Sequence, residues 1–352
     1  MEKIRLGVLI GGPSREHEVS KLTAANILSV IDSDRYEIIP ILVDMQRRWH
    51  LYQGIEHYAQ NNPSAVIVPH DIVQQLPYLI DVALIAMHGE FGEDGEVQRL
   101  LDRSSIPYQG SGPRSSALAF NKHRSSELLK RMGIAVPDYT ALTRASWVSA
   151  RSAWINRIAR AYKWPVVVKP NAAGSSVGVT LAFTPAQLAD AIESVSVEHE
   201  LTIIQRYIRG TEVTCAVLEG KNGPIALPPT LIRPLKARFF DFSSKYEAGA
   251  SEEITPAPLP PNIIKHIQAT AVRVHRVLGC RDYSRVDMIL GQGRIWVLEL
   301  NSLPGMTDTS LLPQAAAVMG ISFTNLVSHL LTRAQARPEV VELSTYEYNR
   351  TP

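Results

Sequence analysis

The spacing of apolar and polar positions changes character several times along the chain. Residues 5–10 form a largely apolar run closed by Gly11-Gly12, the pattern of a buried strand that feeds a turn. Ser14 stands where a helix N-cap belongs, and Val19, Leu22, Ala25 and Leu28 follow at helical spacing. Residues 38–43 and 82–87 are further strand-like runs. The second leads into His88-Gly89-Glu90-Phe91-Gly92-Glu93-Asp94-Gly95 and a short helix carrying Val97, Leu100 and Leu101. Residues 45–75 are polar and irregular and yield no assignment. Strands alternating with helices imply a parallel sheet covered by helices. Ligands of such sheets gather at the carboxyl ends of the strands, where Gly11-Gly12 and His88-Gly89 fall.

The pattern then changes. Residues 115–132 predict one helix stopped by Gly133, and 147–162 predict another. Residues 165–169 form a β-branched strand, followed by Ala172-Ala173-Gly174-Ser175-Ser176-Val177-Gly178-Val179. A strand, a helix over 185–195 and a strand over 201–205 come next. Residues 212–218 predict a strand, and 239–261 are polar and Pro-rich. Ile263, Ile267, Ala271, Val274 and Leu278 recur at helical spacing, closed by Gly279. Residues 285–290 and 294–300 predict a hairpin around Gly291-Gln292-Gly293. The residues after about 331 read as a polar tail, and no internal repeat is present.

Composition narrows the function classes. A chain of 352 residues is long enough for two or three domains with sizeable cores. Lys plus Arg (36) nearly balance Asp plus Glu (34), for a formal charge of +2. With no Lys/Arg run, this argues against a nucleic-acid partner bound by bulk electrostatics. Two cysteines, Cys215 and Cys280, are too few for a disulfide framework and favour a reducing compartment. The apolar runs fall far short of the ~20 residues of a membrane helix, and the N-terminus reads as a strand, not a signal peptide. No membrane partner is expected.

The hairpin carries the most chemistry. A three-residue turn would pair Leu290 with Arg294, set Arg285 opposite Glu299, and set Asp287 opposite Val297. Alternation then puts Arg285, Asp287, Glu299 and Asn301 on one face, with Asp287 and Glu299 diagonal and roughly 7–8 Å apart. The other face carries Met288, Leu290, Trp296, Leu298 and Leu300. Two carboxylates and an amide oxygen suit Mg²⁺, which takes few protein ligands plus substrate phosphates. A solvent-facing hairpin with a cross-strand Arg–Glu pair fits the same pattern. The next residues, Ser302-Leu303-Pro304-Gly305-Met306-Thr307, would offer backbone N–H groups near that face. Lys169 ends an apolar strand just before the Gly174–Gly178 stretch, which could drape amides over phosphates. Neither a P-loop nor a dinucleotide fingerprint is present. Taken singly, Glu16 fits a surface carboxylate near a helix start and His88 a loop histidine.

Together these segments resemble the D-alanine–D-alanine ligases of the ATP-grasp superfamily. The resemblance runs in order from residue 5 to about 320. It rests on Gly11 through Ser20, His88 through Gly95, Pro107-Tyr108-Gln109-Gly110-Ser111-Gly112, Val168-Lys169-Pro170 and Gly174–Gly178. It continues through Lys245-Tyr246, Arg285-Val286-Asp287, Glu299-Leu300-Asn301 and Pro304-Gly305-Met306-Thr307. It implies an α/β and α+β architecture, the ATP-grasp fold. A parallel-sheet N-terminal domain over 1–112 would hold the first substrate subsite. Two α+β ATP-grasp domains would follow over 113–208 and 209–352, the last with a mobile loop over 239–261 that closes over the phosphates.

The resemblance implies an ATP- and Mg²⁺-dependent ligation, with Mn²⁺ as the substitute ion. The carboxylate of one D-alanine would be phosphorylated and attacked by the amine of a second, giving the dipeptide for peptidoglycan. A bacterial cytoplasmic homodimer is expected. Asp287, Glu299 and Asn301 match the metal ligands. Lys122, Lys169 and Lys245 match the phosphate-contacting lysines, and Ser175 with Ser176 lies in the loop covering the phosphates. Gln205, Ile208 and Glu212 match the adenosine site, with Gln205 where many members carry Glu and Glu212 at the ribose. Arg285 matches the oxyanion-stabilising arginine. Glu16, Ser175 and Tyr246 match a hydrogen-bonded trio at the first D-alanine, where Val19 and His88 also fall. Gly305 matches a backbone contact, and Ser310 and Leu311 match second-subsite residues. Asn121 replaces a usual Asp before Lys122. The rival expectations are a ligase taking D-lactate or D-serine second, a non-catalytic nucleotide-binding regulator, and an oxidoreductase with a Rossmann-like first domain. The Lys245-Tyr246 pair favours D-alanine over D-lactate, the intact hairpin set disfavours the regulator, and the missing dinucleotide fingerprint disfavours the oxidoreductase.

Overall fold

Three sheets follow one another along the chain, each backed by the helices whose apolar faces need it. The structure is a computed structural model, and it describes residues 3–68, 70–174, 177–234, 251–307 and 309–337. The first sheet is built on β1 (Ile4–Gly11), followed by α1 (His17–Leu28), β2 (Tyr36–Val43), β3 (Trp49–Leu51), α2 (Ile55–Ala59), β4 (Ala65–Ile67), α3 (Ile72–Leu79) and β5 (Val82–Ile85). Its order is β4-β3-β2-β1-β5. The three apolar runs read as strands are its parallel centre, β1 lying between β2 and β5. Leu6, Val8, Leu9 and Ile10 are fully buried, as a strand covered on both faces requires. The unassigned stretch 45–75 supplies two three-residue strands, antiparallel at the edge. Strands so short carry no readable period.

Helix α4 (Glu96–Arg103) leads to a correction. The single helix expected over 115–132 is two, α5 (Pro113–Phe120) and α6 (Lys122–Arg131). Asn121 leaves the helical region at φ −85°, ψ 97°, and its side chain caps α6 by accepting from the Arg124 amide. The second sheet, β6-β9-β7-β8, comprises β6 (Tyr139–Thr143), β7 (Val166–Pro170), β8 (Thr180–Ala182) and β9 (Leu201–Arg206). Helices α7 (Arg144–Ala161) and α8 (Pro185–Glu198) share a core with it through Trp147, Ile158, Leu188 and Ile192.

The third sheet contains β10 (Thr211–Gly220), β11 (Gly223–Ala226), β12 (Thr230–Pro234), β13 (Ser251–Ile254), β14 (Tyr283–Gly291) and β15 (Arg294–Asn301), backed by α9 (Pro261–Val277). The 239–261 stretch is therefore not all loop: β13 pairs with β12, while 239–250 lie outside the described residues. The hairpin register also departs from expectation. Gly291 pairs with Arg294, so the turn is Gln292-Gly293, both at positive φ (56° and 75°), a two-residue loop suited to the strand twist.

The register then shifts between Asp287 and Met288, leaving Leu298 unpaired as a β-bulge. The bulge exchanges the faces of β15. Val297 is buried in the core, not Leu298, and Trp296 sits outside the core cluster under the guanidinium groups of Arg206 and Arg294. Helices α10 (Leu311–Val318) and α11 (Phe323–Gln335) return to the first sheet, placing Leu312, Leu326 and Leu330 in one core with Leu6 and Leu84. The tail expected after about residue 331 does not start there, because α11 continues past that point with Ala334 fully buried. Among the described residues, no single helix is long and apolar enough to cross a membrane.

Candidate active site

Two cavities meet at the β14–β15 hairpin. The larger, about 510 Å³, lies between α1, the loop after β5, the hairpin and the 302–311 segment. The smaller, about 110 Å³, lies between β7, β9 and the same hairpin. Lys122, Ala173, Asp287 and Glu299 line both. The bulge makes this seam. It sets Asp287 directly across from Glu299, not diagonal to it, and Arg285 across from Asn301. The shared face predicted for these four residues holds, and the two carboxylates stand closer than a regular ladder would put them.

Cations hold both carboxylates in place. Arg285 grips Asp287 through Nε–Oδ1 (2.8 Å) and Nη2–Oδ2 (2.9 Å), and Thr214 on β10 donates to Asp287 Oδ1 at 2.6 Å. Lys122 Nζ lies 3.2 Å from Glu299 Oε2 and donates to the Ala173 carbonyl at 2.8 Å. Burial acts to lower the Arg285 guanidinium, but Asp287, Glu299 and Glu93 together hold it above its ordinary value. Arg285, Lys122 and Lys169 thus gather beside Asp287 and Glu299, three cationic groups placed where an anionic group could be held between the cavities. Asn301 Oδ1 accepts from the Leu303 amide at 3.0 Å and keeps a second lone pair.

Asp287, Glu299 and Asn301 are the set that could hold a metal. Among the described residues, no group of three or more His, Cys, Asp or Glu is placed to hold a metal ion by itself. Two opposed carboxylates and an amide oxygen fit an ion that completes its shell with water and phosphate oxygens.

The first-sheet wall of the large cavity corrects the reading of α1. Ser14 is not the N-cap: the helix starts at His17, and the Ser14 hydroxyl donates to the His88 carbonyl (2.7 Å) and accepts from the Glu16 amide (3.0 Å). Nor do Val19, Leu22 and Ala25 form the core face. They line the cavity, Leu22 being 62% exposed, while Ser20, Ala24 and Ile27 face inward. A Cβ on Gly89 or on Gly174 would overlap the Glu16 carboxylate, so Glu16 sits between the loop after β5 and the loop after β7. His88 Nε2 is 2.8 Å from Thr23 Oγ1, and its Nδ1 is 3.9 Å from the buried Glu93.

The small cavity contains the remaining adenosine-site expectations: Gln205 at the end of β9, Ile208 after it, and Glu212 at the start of β10. Ile289 and Leu298 supply its apolar floor, Leu298 reaching it because of the bulge. Lys169 lies here almost fully buried. Burial lowers its ammonium from 10.5 to about 8, with Glu299 opposing and Lys122 reinforcing the shift. Between those values the unfolded chain holds a proton that the folded chain does not. Stability therefore rises with pH across that window and is lowest below it.

Lys169→Met removes this burial cost. The variant is expected to be more stable than the wild type at about pH 7, by up to about 3 kcal/mol, with the gap shrinking towards about pH 10. With Lys169 in the phosphate-contacting role the resemblance implies, the variant's nucleotide affinity should also fall about tenfold or more, the loss of one charge-assisted contact. Thermal melts at both pH values, beside nucleotide titration, check both statements. A less stable variant that binds nucleotide normally would refute them.

In the 302–311 segment, Gly305, Ser310 and Leu311 line the large cavity as expected. Ser310 Oγ accepts from the Thr307 amide (3.0 Å), bracing the turn above Asn301. Ser175, Ser176, Lys245 and Tyr246 lie outside the described residues. Sequence reasoning missed Thr23, Glu93, Thr214, Thr307, Ile232, Glu253, Ile289 and Leu298. Thr23 stands seven residues after Glu16, two helical turns on, and Glu93 lies within a quoted motif, so both were within reach. Thr214 meets Asp287 only through the β10–β14 pairing, which no local pattern announces.

Known proteins resemble the chain over most of its length. The family models described as D-ala D-ala ligase N-terminus and D-ala D-ala ligase C-terminus match residues 5–111 and 128–332. The D-alanine--D-alanine ligase of Leptospira biflexa is 37% identical over 352 residues, covering 94% of this chain and 99% of that protein. The D-alanine--D-alanine ligase of Nitratidesulfovibrio vulgaris is 46% identical over 254 residues, 71% and 79% of the two chains. Among solved structures, VanG D-Ala:D-Ser ligase from Enterococcus faecalis superposes with a TM-score of 0.81 at 30% identity, over 95% of this chain and 100% of that one. D-alanine--D-alanine ligase from Bacillus anthracis complexed with ATP gives 0.74 at 30% identity, over 94% and 97%.

Proposed function

Because the chain belongs to the D-alanine–D-alanine ligase family, we propose that it joins two molecules of D-alanine at the expense of ATP, supplying D-alanyl-D-alanine for peptidoglycan. The observation that carries this reading is the meeting of two cavities at Asp287 and Glu299. A nucleotide in the small cavity and an amino acid in the large one would present a phosphoryl donor and a carboxylate to each other there. A carboxylate is a poor electrophile, so it needs a leaving group. The γ-phosphoryl group of ATP moves to a carboxylate oxygen of the first D-alanine and ADP departs. The free amine of the second D-alanine then forms the peptide bond, releasing phosphate and a proton. Both steps depend chiefly on alignment and charge neutralisation.

In this reading Glu16 holds the first ammonium, with Val19 and His88 around it, and Arg285 faces the developing oxyanion. Lys122 and Lys169 hold phosphates. Gln205, Ile208 and Glu212 hold the adenosine, while Gly305, Ser310 and Leu311 serve the second substrate. Ser175, Ser176, Lys245 and Tyr246 keep the roles the resemblance gives them. Asp287, Glu299 and Asn301 would hold Mg²⁺, which when bound neutralises phosphate charge. We take the working form to be a cytoplasmic homodimer, its chain divided at about residues 112 and 208.

The test is ATP-dependent phosphate release with D-alanine alone, and with D-alanine plus equimolar D-lactate or D-serine, with products separated by mass. D-Alanyl-D-alanine is expected as the main product at neutral pH. D-Alanyl-D-serine or D-alanyl-D-lactate as the main product would move the chain to a sister specificity. Absence of amino-acid-dependent phosphate release would end the reading.

A further inference from the structure

We propose that Arg337, beyond the end of α11, is a positioning residue for the ligation. It clasps the first-sheet wall of the site to the strand that carries Arg285 and Asp287. The inference rests on the function proposed above.

The geometry is a seam crossed several times at one place. On the first-sheet side, Gln109 binds both backbone groups of Ile85, three residues before His88, at 2.8 Å each. On the β14 side, the Tyr283 hydroxyl lies 3.3 Å from Gln109 Nε2, two residues before Arg285. Next to this contact, the Gly110 amide donates to Asp282 Oδ2 at 2.7 Å. Arg337 Nη2 bridges the two sides. It donates to the Gly110 carbonyl at 2.5 Å and pairs with Asp282 Oδ2, while its guanidinium lies 4.8 Å from the Tyr108 ring centroid.

The other Asp282 oxygen accepts from Arg333 Nε at 2.9 Å, and Arg333 also pairs with Glu219 of β10. Asp282 is 2% exposed and adopts φ 61°, a left-handed conformation uncommon outside glycine. A buried carboxylate in an unfavourable backbone state persists when its surroundings over-determine it. Here those surroundings include two arginines supplied from the far end of the described chain. Buried ion pairs add little net stability but become costly when one partner is removed, and they fix geometry.

The reaction needs that geometry. Glu16 and His88 belong to the first-sheet wall, and Arg285 and Asp287 to the third sheet. Besides a shared apolar core that includes Leu218 and Leu227, their separation is held where Gln109 and Gly110 meet Tyr283 and Asp282. The nucleotide cavity is lined by neither Arg337 nor any residue it touches. Loss of the clasp should therefore spoil alignment at the amino-acid side and spare nucleotide binding. A displacement on the order of 1 Å can cost about a hundredfold in rate.

The experiment compares wild type, Arg337→Met and Arg337→Lys in the full chain. It measures kcat, KM for D-alanine, nucleotide affinity by titration, and thermal melting. For Arg337→Met the expected result is a fall in kcat/KM for D-alanine of about ten- to a hundredfold, with nucleotide affinity within about twofold of wild type. Arg337→Lys keeps the charge but not the planar bridge and should recover only part of the loss. Unchanged D-alanine kinetics in folded Arg337→Met overturns the proposal. Should that variant fail to fold, Arg337→Lys decides: a selective D-alanine defect supports the clasp. Normal kinetics in the Lys variant, or equal losses of D-alanine turnover, nucleotide binding and melting temperature, overturn it. A wild-type chain without D-alanine-dependent turnover would instead reject the underlying function.

Discussion

Asp287→Asn and Glu299→Gln are each expected to lower turnover by about a thousandfold or more while the protein stays folded. Both substitutions conserve shape, and an amide in place of the Asp287 carboxylate would still accept one hydrogen bond from Arg285 or Thr214. What disappears is negative charge at the point where the two cavities join. Each loss also strands a cation. Without Asp287 the Arg285 guanidinium loses its two-point partner, and without Glu299 the Lys122 ammonium loses its ion pair. The cations beside the lost carboxylate would remain, so nucleotide could still bind, but its phosphates would not be held in a transferable arrangement. Phosphate release at saturating Mg²⁺, with thermal melts as the folding control, checks this. Near-normal turnover in both variants would remove the metal assignment. Because the two carboxylates face each other across one ladder position, the double variant should lose less than the product of the single losses.

Arg285→Met should cost about a hundred- to a thousandfold in turnover, the range for removing a preorganised oxyanion donor, the role proposed above for this residue. Two features make this residue hard to replace. Its guanidinium carries its charge at any working pH, Asp287, Glu299 and Glu93 reinforcing it, and its fork holds Asp287 by both oxygens. A lysine offers a point charge and cannot hold both oxygens in that plane. Arg285→Lys should therefore recover little. Steady-state kinetics of both variants decide the matter. Recovery of the lysine variant to within a few-fold of wild type would show that charge alone suffices, and the two-point grip would lose its role.

Much of this architecture could be read from residue order, and the failures have identifiable causes. The buried runs of β1, β2 and β5 were legible because strands covered on both faces are apolar throughout. The shared face of Arg285, Asp287, Glu299 and Asn301 was legible because alternation survives any register in which both strands keep their parity. The bulge at Leu298 was not, since it depends on how β15 docks against β14 and the core. The break at Asn121 was missed because its flanks share helical composition, and one asparagine decides between capping and continuing. Helix α11 had no assignment from the sequence, although Leu326, Leu330 and Leu331 keep helical spacing. Their partners lie on the first sheet, where no local pattern could reveal them.

That return of α10 and α11 to the first sheet bears on how the chain is made. Synthesis delivers β1, β2 and β5 early, yet their common core with Leu312, Leu326 and Leu330 is complete only after the last third has been translated. Arg35 meets Gln335 across a separation of 300 residues, and Gln335 returns a bond to Tyr36. An emerging nascent chain must therefore keep the apolar face of its first sheet out of trouble while the other two sheets fold. The wall that bears Glu16 and His88 acquires its final backing last, so an incomplete translation product would carry these two residues on a half-covered sheet.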